Sequence, residues 1–210
     1  IGNTPEHRTS DGGIALQHRM AFQGEYFVER YGAEAAAATP PIGRILASGV
    51  PVSVGTDATR VASYNPWVAL AWLVTGKTVG GLEIADPANR LDRETALRLW
   101  TERTAWFSNE AGKKGRIAAG QYADLAVTSR DYLAVPEAAI ADLSSVLTIV
   151  GGRIVWAADD FAALAPPDLP VSPSWLPTGR KARGPVAAAT AEPSGSTALE
   201  RVAGLLCGCA

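Results

Sequence analysis

Few residues of this 210-residue sequence could carry out chemistry. Asp57 is the sharpest candidate, because it follows the strand pattern VPVSVGT and a carboxylate at the end of a strand can bind a divalent metal. Such a carboxylate can also take a proton from a metal-bound water, whose pKa zinc lowers to about 7. The structural alternative is that Asp57 accepts a hydrogen bond from the backbone of the following turn.

Histidine, a common metal ligand, occurs at two positions, His7 and His18. A zinc hydrolase usually places two or three histidines in one site, and His7 falls in a polar, loop-like segment. The two cysteines, Cys207 and Cys209, form a C-x-C at the end of the sequence with no histidine nearby. A metal site in this chain is therefore expected to be incomplete, or to be completed from elsewhere.

Gln17 and His18 end an earlier strand pattern, and successive strand residues face opposite ways. Gly13 and Ala15 are small and lie on the same side as Gln17, so this side is expected to face an open interior. Gln17 is then a candidate for substrate binding. His18 is a candidate at the rim, with packing on the outer face as its structural alternative.

Three further candidates follow Asp57 in the segment ATRVASYNPW, namely Arg60, Tyr64 and Asn65. A loop at the carboxyl end of a barrel strand is where such enzymes place substrate contacts. Arg60 and Asn65 are accordingly predicted to bind substrate. The alternative for the loop is that its side chains only hold the backbone in place.

Hydrophobic periodicity predicts two strands and four helices in the first half of the chain. In the second strand valines occupy one face, while Ser53, Gly55 and Asp57 occupy the other, which indicates a bulky face against helices and a small face toward an open space. Asp92 is expected to cap the last helix, with Leu97 and Trp100 beginning its packing stripe, continued by Thr104 and Phe107. The predicted strands cover 14–20 and 50–57, and the predicted helices cover 22–33, 39–48, 66–75 and 93–108.

The second half changes to short β-type runs punctuated by glycine. The segment VLTIVGGRIVWA predicts two strands joined by a turn at Gly151 and Gly152, because such turns need positive φ angles. The residues that follow are rich in Pro, Ala, Gly and Ser and are expected to be disordered. The predicted division is 1–111 for an α/β part, 112–177 for a β part and 178–210 for the tail.

Composition excludes several classes of function. Nineteen basic and twenty-one acidic residues give a net charge of −2, so no basic surface is available to attract nucleic acid or anionic lipid. Apolar runs are far shorter than the roughly 20 residues that span a bilayer, and no signal peptide is recognisable. We therefore expect no nucleic-acid or membrane partner, and we expect the protein to be cytoplasmic.

Four segments in this order resemble the carboxyl-terminal part of a metal-dependent amidohydrolase of the amidohydrolase-3 type. GVPVSVGTDATRVASYNPW resembles that family's last barrel strand with its Asp, and LRLWTERTAWFSNE resembles the helix that leads back to the flanking β domain. KKGRIAAGQYADLAVTSRDYLAVP resembles the family's KG-I-x-x-G-x-x-ADL-x-V stretch, and VLTIVGGRIVWA resembles its closing hairpin. The resemblance runs from about residue 12 to residue 175.

The resemblance implies an α/β chain made of the last strands and helices of a TIM-like (β/α)8 barrel, followed by part of a β-sandwich, with the barrel incomplete. It implies metal-assisted hydrolysis of a non-peptide C–N bond in a small amide-type substrate. The implied cofactor is a divalent metal, zinc being the expectation. Asp57 is the residue onto which the family's metal-binding and proton-transferring Asp carries over, whereas the HxH motif and later histidines have no counterpart.

Two alternatives stay open beside this reading: a non-catalytic remnant, and a subunit that completes its barrel with another chain. In either case the isolated chain is expected to bind no zinc tightly and to hydrolyse no amide, because one carboxylate does not hold the ion. Unpaired strand edges are expected to cause self-association.

Overall fold

The computed structural model describes residues 12–57 and 62–167, and the elements below lie within these two ranges. They contain six helices and five strands. In chain order these are β1 (Ile14–Gln17), α1 (Met20–Tyr31), α2 (Ala33–Ala37), α3 (Ile42–Ala47), β2 (Val52–Gly55), α4 (Pro66–Thr75), α5 (Arg93–Trp100), α6 (Thr104–Phe107), β3 (Leu125–Thr128), β4 (Ser145–Val150) and β5 (Arg153–Ala157). Short 3₁₀ turns lie at Pro87–Asn89, Glu137–Ala139 and Asp159–Leu164. The fold is mixed α/β.

Strands β1 and β2 pair in parallel, with Gln17 opposite Gly55. Leu16, Val52 and Val54 are buried in the core formed with the helices. This confirms the prediction that the valine face of the second strand backs onto helices, because bulky β-branched residues fill the space between a sheet and its helices. The opposite face carries small or polar residues.

Helix α4 covers the predicted range, 66–75, and most of its surface is buried. The side chain of Asn65 accepts a hydrogen bond from the backbone N–H of Trp67, and Pro66 occupies the first turn, where its missing N–H is no loss. Gly76 ends the helix with a φ of 66°. The start and stop residues explain why sequence alone locates this helix well.

Four of the predicted elements, those over 14–20, 22–33, 39–48 and 50–57, have different bounds in the structure. The first strand ends at Gln17 rather than residue 20, because Met20 already begins α1. The Thr39 hydroxyl donates to the carbonyl of Ala35, so it closes α2 instead of capping the next helix. Helix α2 was not predicted, and α3 begins only at Ile42.

The predicted helix over 93–108 is divided into α5 and α6. Asp92 caps α5 as expected, accepting from the backbone N–H of Thr95. The hydroxyl of Thr104 donates to carbonyls at the end of α5. The N–H of Arg103 donates to the carbonyl of Arg98, five residues earlier, which makes a wider turn than that of an α-helix. Of the predicted stripe, Leu97 and Trp100 are half-buried and pack against the core, whereas Phe107 is exposed. The fully buried residues on these two helices are Ala96, Leu99 and Ala105.

Strands β3, β4 and β5 form one antiparallel sheet in that order. Gly151 and Gly152 have φ angles of 56° and 79° and make the turn between β4 and β5, which confirms the predicted hairpin. Asp124 fixes this turn, since its Oδ1 accepts from the N–H of Gly151 at 2.7 Å. Neither a closed barrel nor a two-layered sandwich is present within 12–57 and 62–167.

One reciprocal contact fastens the 131–143 segment to α5. The guanidinium of Arg93 donates to the carbonyls of Tyr132 and Val135, and the hydroxyl of Tyr132 donates to the carbonyl of Arg93 at 3.1 Å. Burial raises the pKa of Tyr132 to about 12, so this hydroxyl keeps its proton and remains a donor.

Four predictions concern residues outside the described ranges. These are the loop-like segment at His7, the loop residue Arg60, the disordered tail over 178–210 and the cysteines within it. The division at residue 112 also stays a prediction. Within the described ranges, no helix is both long and apolar enough to cross a membrane.

Candidate functional site

The carboxyl ends of β1 and β2 lie side by side, because the two strands are parallel and in register. Gln17 is the last residue of β1, and Asp57 follows the last residue of β2 by two positions. Both residues are exposed. The structure thus brings the two strongest sequence candidates to one edge of the sheet, the edge at which parallel α/β proteins place ligands.

The backbone at Asp57 has a φ of 52°, in the left-handed region. This conformation is sterically strained for an L-residue, although Asp and Asn tolerate it better than other side chains do. Strain at a strand end often marks a functional position. The sequence carried a weak signal for this turn in the GTD segment, but not for the sign of φ.

Gly55 leaves an opening beside Asp57. A Cβ at Gly55 would meet no atom of the described residues within 4 Å beyond its chain neighbours. Ser53, two residues earlier on this face, is buried. The face is therefore covered toward its amino end and open toward the end that carries the candidate residues.

His18 lies on the other side of the strand, where it is fully buried. Its ring makes an edge-to-face contact with Phe22 at 5.6 Å between centroids, and neither ring nitrogen has a hydrogen-bond partner among the described residues. Burial lowers the pKa of His18 to about 4, so the ring is neutral at pH 7. In this structure the ring offers no surface to a small molecule, and its predicted binding role gains no support.

Asn65 acts as the cap of α4, and Ser63 accepts a hydrogen bond from the Asn65 N–H at 3.0 Å. The amide oxygen of Asn65 is thus engaged in holding the helix start. This arrangement matches the structural alternative for the loop. Arg60, the other loop candidate, lies among the undescribed residues 58–61.

The described residues do not fit a metal on their own. They contain no group of three or more His, Cys, Asp or Glu side chains placed to hold an ion. Asp57 offers one carboxylate, and His18 faces the core on the opposite side of the sheet. Because zinc sites in enzymes take about three protein ligands, further ligands would have to come from outside the described part of the chain.

Comparison with known proteins identifies the lineage. The model of the family described as "Amidohydrolase family" matches residues 8–156, well over half of the chain. The chain belongs to the amidohydrolase family. This confirms the resemblance drawn from the four sequence segments.

A curated protein and a solved structure are among the proteins to which this chain is similar. An N-substituted formamide deformylase from Arthrobacter pascens is 29% identical over 112 residues, which cover 53% of this chain and 20% of the relative. A crystal structure of an uncharacterized protein matches 70% of this chain and 35% of its own, at 21% identity and a TM-score of 0.41. The match to this amidohydrolase relative thus spans about a fifth of the relative's length.

Proposed function

We propose that this chain supplies the carboxyl-terminal part of a hydrolase that cleaves a non-peptide C–N bond in a small amide, with Asp57 as its reactive carboxylate. The observation that carries the proposal is the position of Asp57. It is exposed, follows the carboxyl end of a parallel strand and lies beside the end of β1. Family membership supports the same class of reaction. An N-substituted formamide is the proposed substrate class, on the strength of the deformylase relative.

The chemistry proposed for Asp57 is proton transfer. As a water oxygen bonds to the substrate carbonyl carbon, the Asp57 carboxylate accepts a proton from that water. The same proton then passes to the leaving nitrogen as the C–N bond breaks, which releases an amine and a carboxylic acid. The side chain of Gln17 can donate a hydrogen bond to the carbonyl oxygen, where negative charge develops in the transition state.

The complete enzyme is proposed to use a divalent metal, with zinc as the expected ion. The residues described here provide one carboxylate toward such a site. We therefore assign the remaining ligands to a part of the barrel outside the described residues. The proposed architecture is a TIM-like barrel to which β1 and β2 contribute, with the β3–β5 sheet forming part of a β-sandwich.

A second candidate is favoured by the outer edge of β1, which pairs with no strand among the described residues. Parallel sheets normally have more strands and are covered on both faces. The chain would then act as a subunit that completes its barrel with another polypeptide. A non-catalytic remnant is the remaining alternative, and it predicts no activity in any assembly.

A chimeric enzyme tests the proposal. Residues 12–157 would replace the matching segment of the Arthrobacter pascens deformylase, and release of formate from N-butylformamide would be measured with zinc present. We expect the chimera to be active and Asp57→Asn to lower kcat by at least about a hundredfold, the usual effect of removing a general base. Asp142→Asn is the matched control, because Asp142 is exposed and remote in sequence from the site. A folded but inactive chimera would contradict the proposal.

A further inference from the structure

Gly55 differs from the other glycines in the range 13–152 of the described chain. Each of the others either has a positive φ or would press a Cβ against a neighbouring atom within 4 Å. Among the described residues Gly55 has neither feature, so neither its backbone conformation nor its packing against them requires glycine. A glycine inside a strand is otherwise unfavourable, because it adds entropy to the unfolded chain and has no side chain to pack.

The location of Gly55 suggests why this position carries no side chain. It lies opposite Gln17 in the strand register and two residues before Asp57. It shares the small-residue face with Ser53, whereas Val54 between them points into the core. The opening above Gly55 is therefore adjacent to both residues of the proposed site.

We infer that Gly55 is a specificity-determining residue, which lets the amide group of the substrate approach the strand backbone between Gln17 and Asp57. Glycine in a strand commonly marks the place where a ligand comes close to the backbone. The inference rests on the proposed function for the identity of the ligand. A larger side chain at this position fills the space of the substrate without disturbing the fold.

The test uses the full chain and the variants Gly55→Ala and Gly55→Val. Thermal unfolding is measured first, and both variants are expected to keep a Tm equal to or above that of the wild type. Binding of N-butylformamide is then followed by NMR shifts of the backbone amides of Gln17 and Asp57. We expect Gly55→Val to weaken binding by at least about tenfold, since one or two misplaced carbons in a site have effects of this size.

Ala15→Val is the matched control, because Ala15 is exposed on the same face but lies opposite Ser53, farther from Asp57. It is expected to leave binding unchanged. A lower Tm in both Gly55 variants would show that glycine is needed for folding, and this would overturn the inference. Unchanged binding in Gly55→Val, or no binding to the wild type, would also overturn it.

Failure of the proposed function gives a different pattern. If the chimera is inactive while the chain binds the formamide and loses binding in Gly55→Val, the assignment of Gly55 stands and the catalytic role of Asp57 does not. If the chimera is active but Gly55→Val in the chain binds as tightly as the wild type, Asp57 keeps its role and Gly55 loses its own.

Discussion

The conformation of single residues determines which side chains are exposed at the carboxyl ends of β1 and β2. Asp57 lies two residues beyond the end of β2, and its left-handed backbone does not continue the strand. His18, only one residue after Gln17, is directed into the core instead. Gln17 and His18, both candidates for substrate binding from the sequence, thus differ in exposure. Successive strand residues face opposite ways, and a helix begins directly afterwards at Met20.

The left-handed backbone at Asp57 predicts an unusual order of stabilities. Asp57→Gly is expected to be as stable as the wild type or up to about 1 kcal/mol more stable, since glycine adopts positive φ without steric strain. Asp57→Val is expected to lose about 1–2 kcal/mol, because a β-branched residue is strained there. Urea unfolding measures both values. A more stable Asp57→Val than Asp57→Gly would contradict the observed conformation.

The buried His18 predicts a dependence of stability on pH. Its pKa is about 4 in the folded state against about 6.5 in the unfolded chain, so the unfolded state binds the proton first as pH falls. The stabilisation is complete above pH 6.5 and declines from there toward pH 4. We expect a loss of about 2 kcal/mol between pH 7 and pH 5 from this residue.

The variant His18→Leu isolates that contribution. It keeps an apolar side chain of similar size in the core and removes two ring nitrogens that have no partner among the described residues. Urea unfolding at pH 7 and pH 5 should show a clearly smaller difference than in the wild type. An equal difference in the two proteins would mean that His18 does not titrate as its burial requires.

At the level of elements, sequence predicts those segments whose ends carry local signals. Helix α4 has Asn65, Pro66 and Gly76 at its ends, and the β4–β5 hairpin has its glycine pair, so both were placed correctly. The division between α5 and α6 coincides with hydrogen bonding of the Thr104 hydroxyl to the carbonyl of Trp100, and hydrophobic periodicity does not reveal such a bond. Likewise, strand alternation predicts that Gln17 and His18 face opposite ways and allows His18 to pack on the outer face, but it does not predict that the ring is completely buried.

The clamp between α5 and the following segment predicts a large effect of one substitution. Arg93→Met removes two charge-assisted hydrogen bonds to the carbonyls of Tyr132 and Val135, and should lower the free energy of unfolding by about 2–3 kcal/mol. Arg98→Met on the same helix is the control. Arg98 is itself exposed and, among the described residues, pairs with the exposed Glu94 and the half-buried Glu102, so its loss should change stability little. Similar effects of the two substitutions would show that the clamp does not hold the segment.

On the scale of the whole molecule, the two sheets leave backbone groups and apolar side chains uncovered. Four outer edges, those of β1 and β2 in one sheet and of β3 and β5 in the other, pair with no strand among the described residues. Trp106 and Phe107 stack edge to face near Gly13 and remain more than a third exposed. In the architecture proposed above, further barrel and sandwich strands would cover these surfaces.

Uncovered edges predict that the chain associates with itself when it is expressed alone. Free strands recruit other chains through their N–H and C=O groups, and lysines on edge strands oppose this. The double variant Ala15→Lys with Val155→Lys places one lysine on an outer strand of each sheet, and it should shift light-scattering mass from oligomers toward the monomer. Ala33→Lys adds charge at the exposed start of α2, away from both sheets, and should not. A wild-type chain that stays monomeric at all concentrations would show that these edges need no partner.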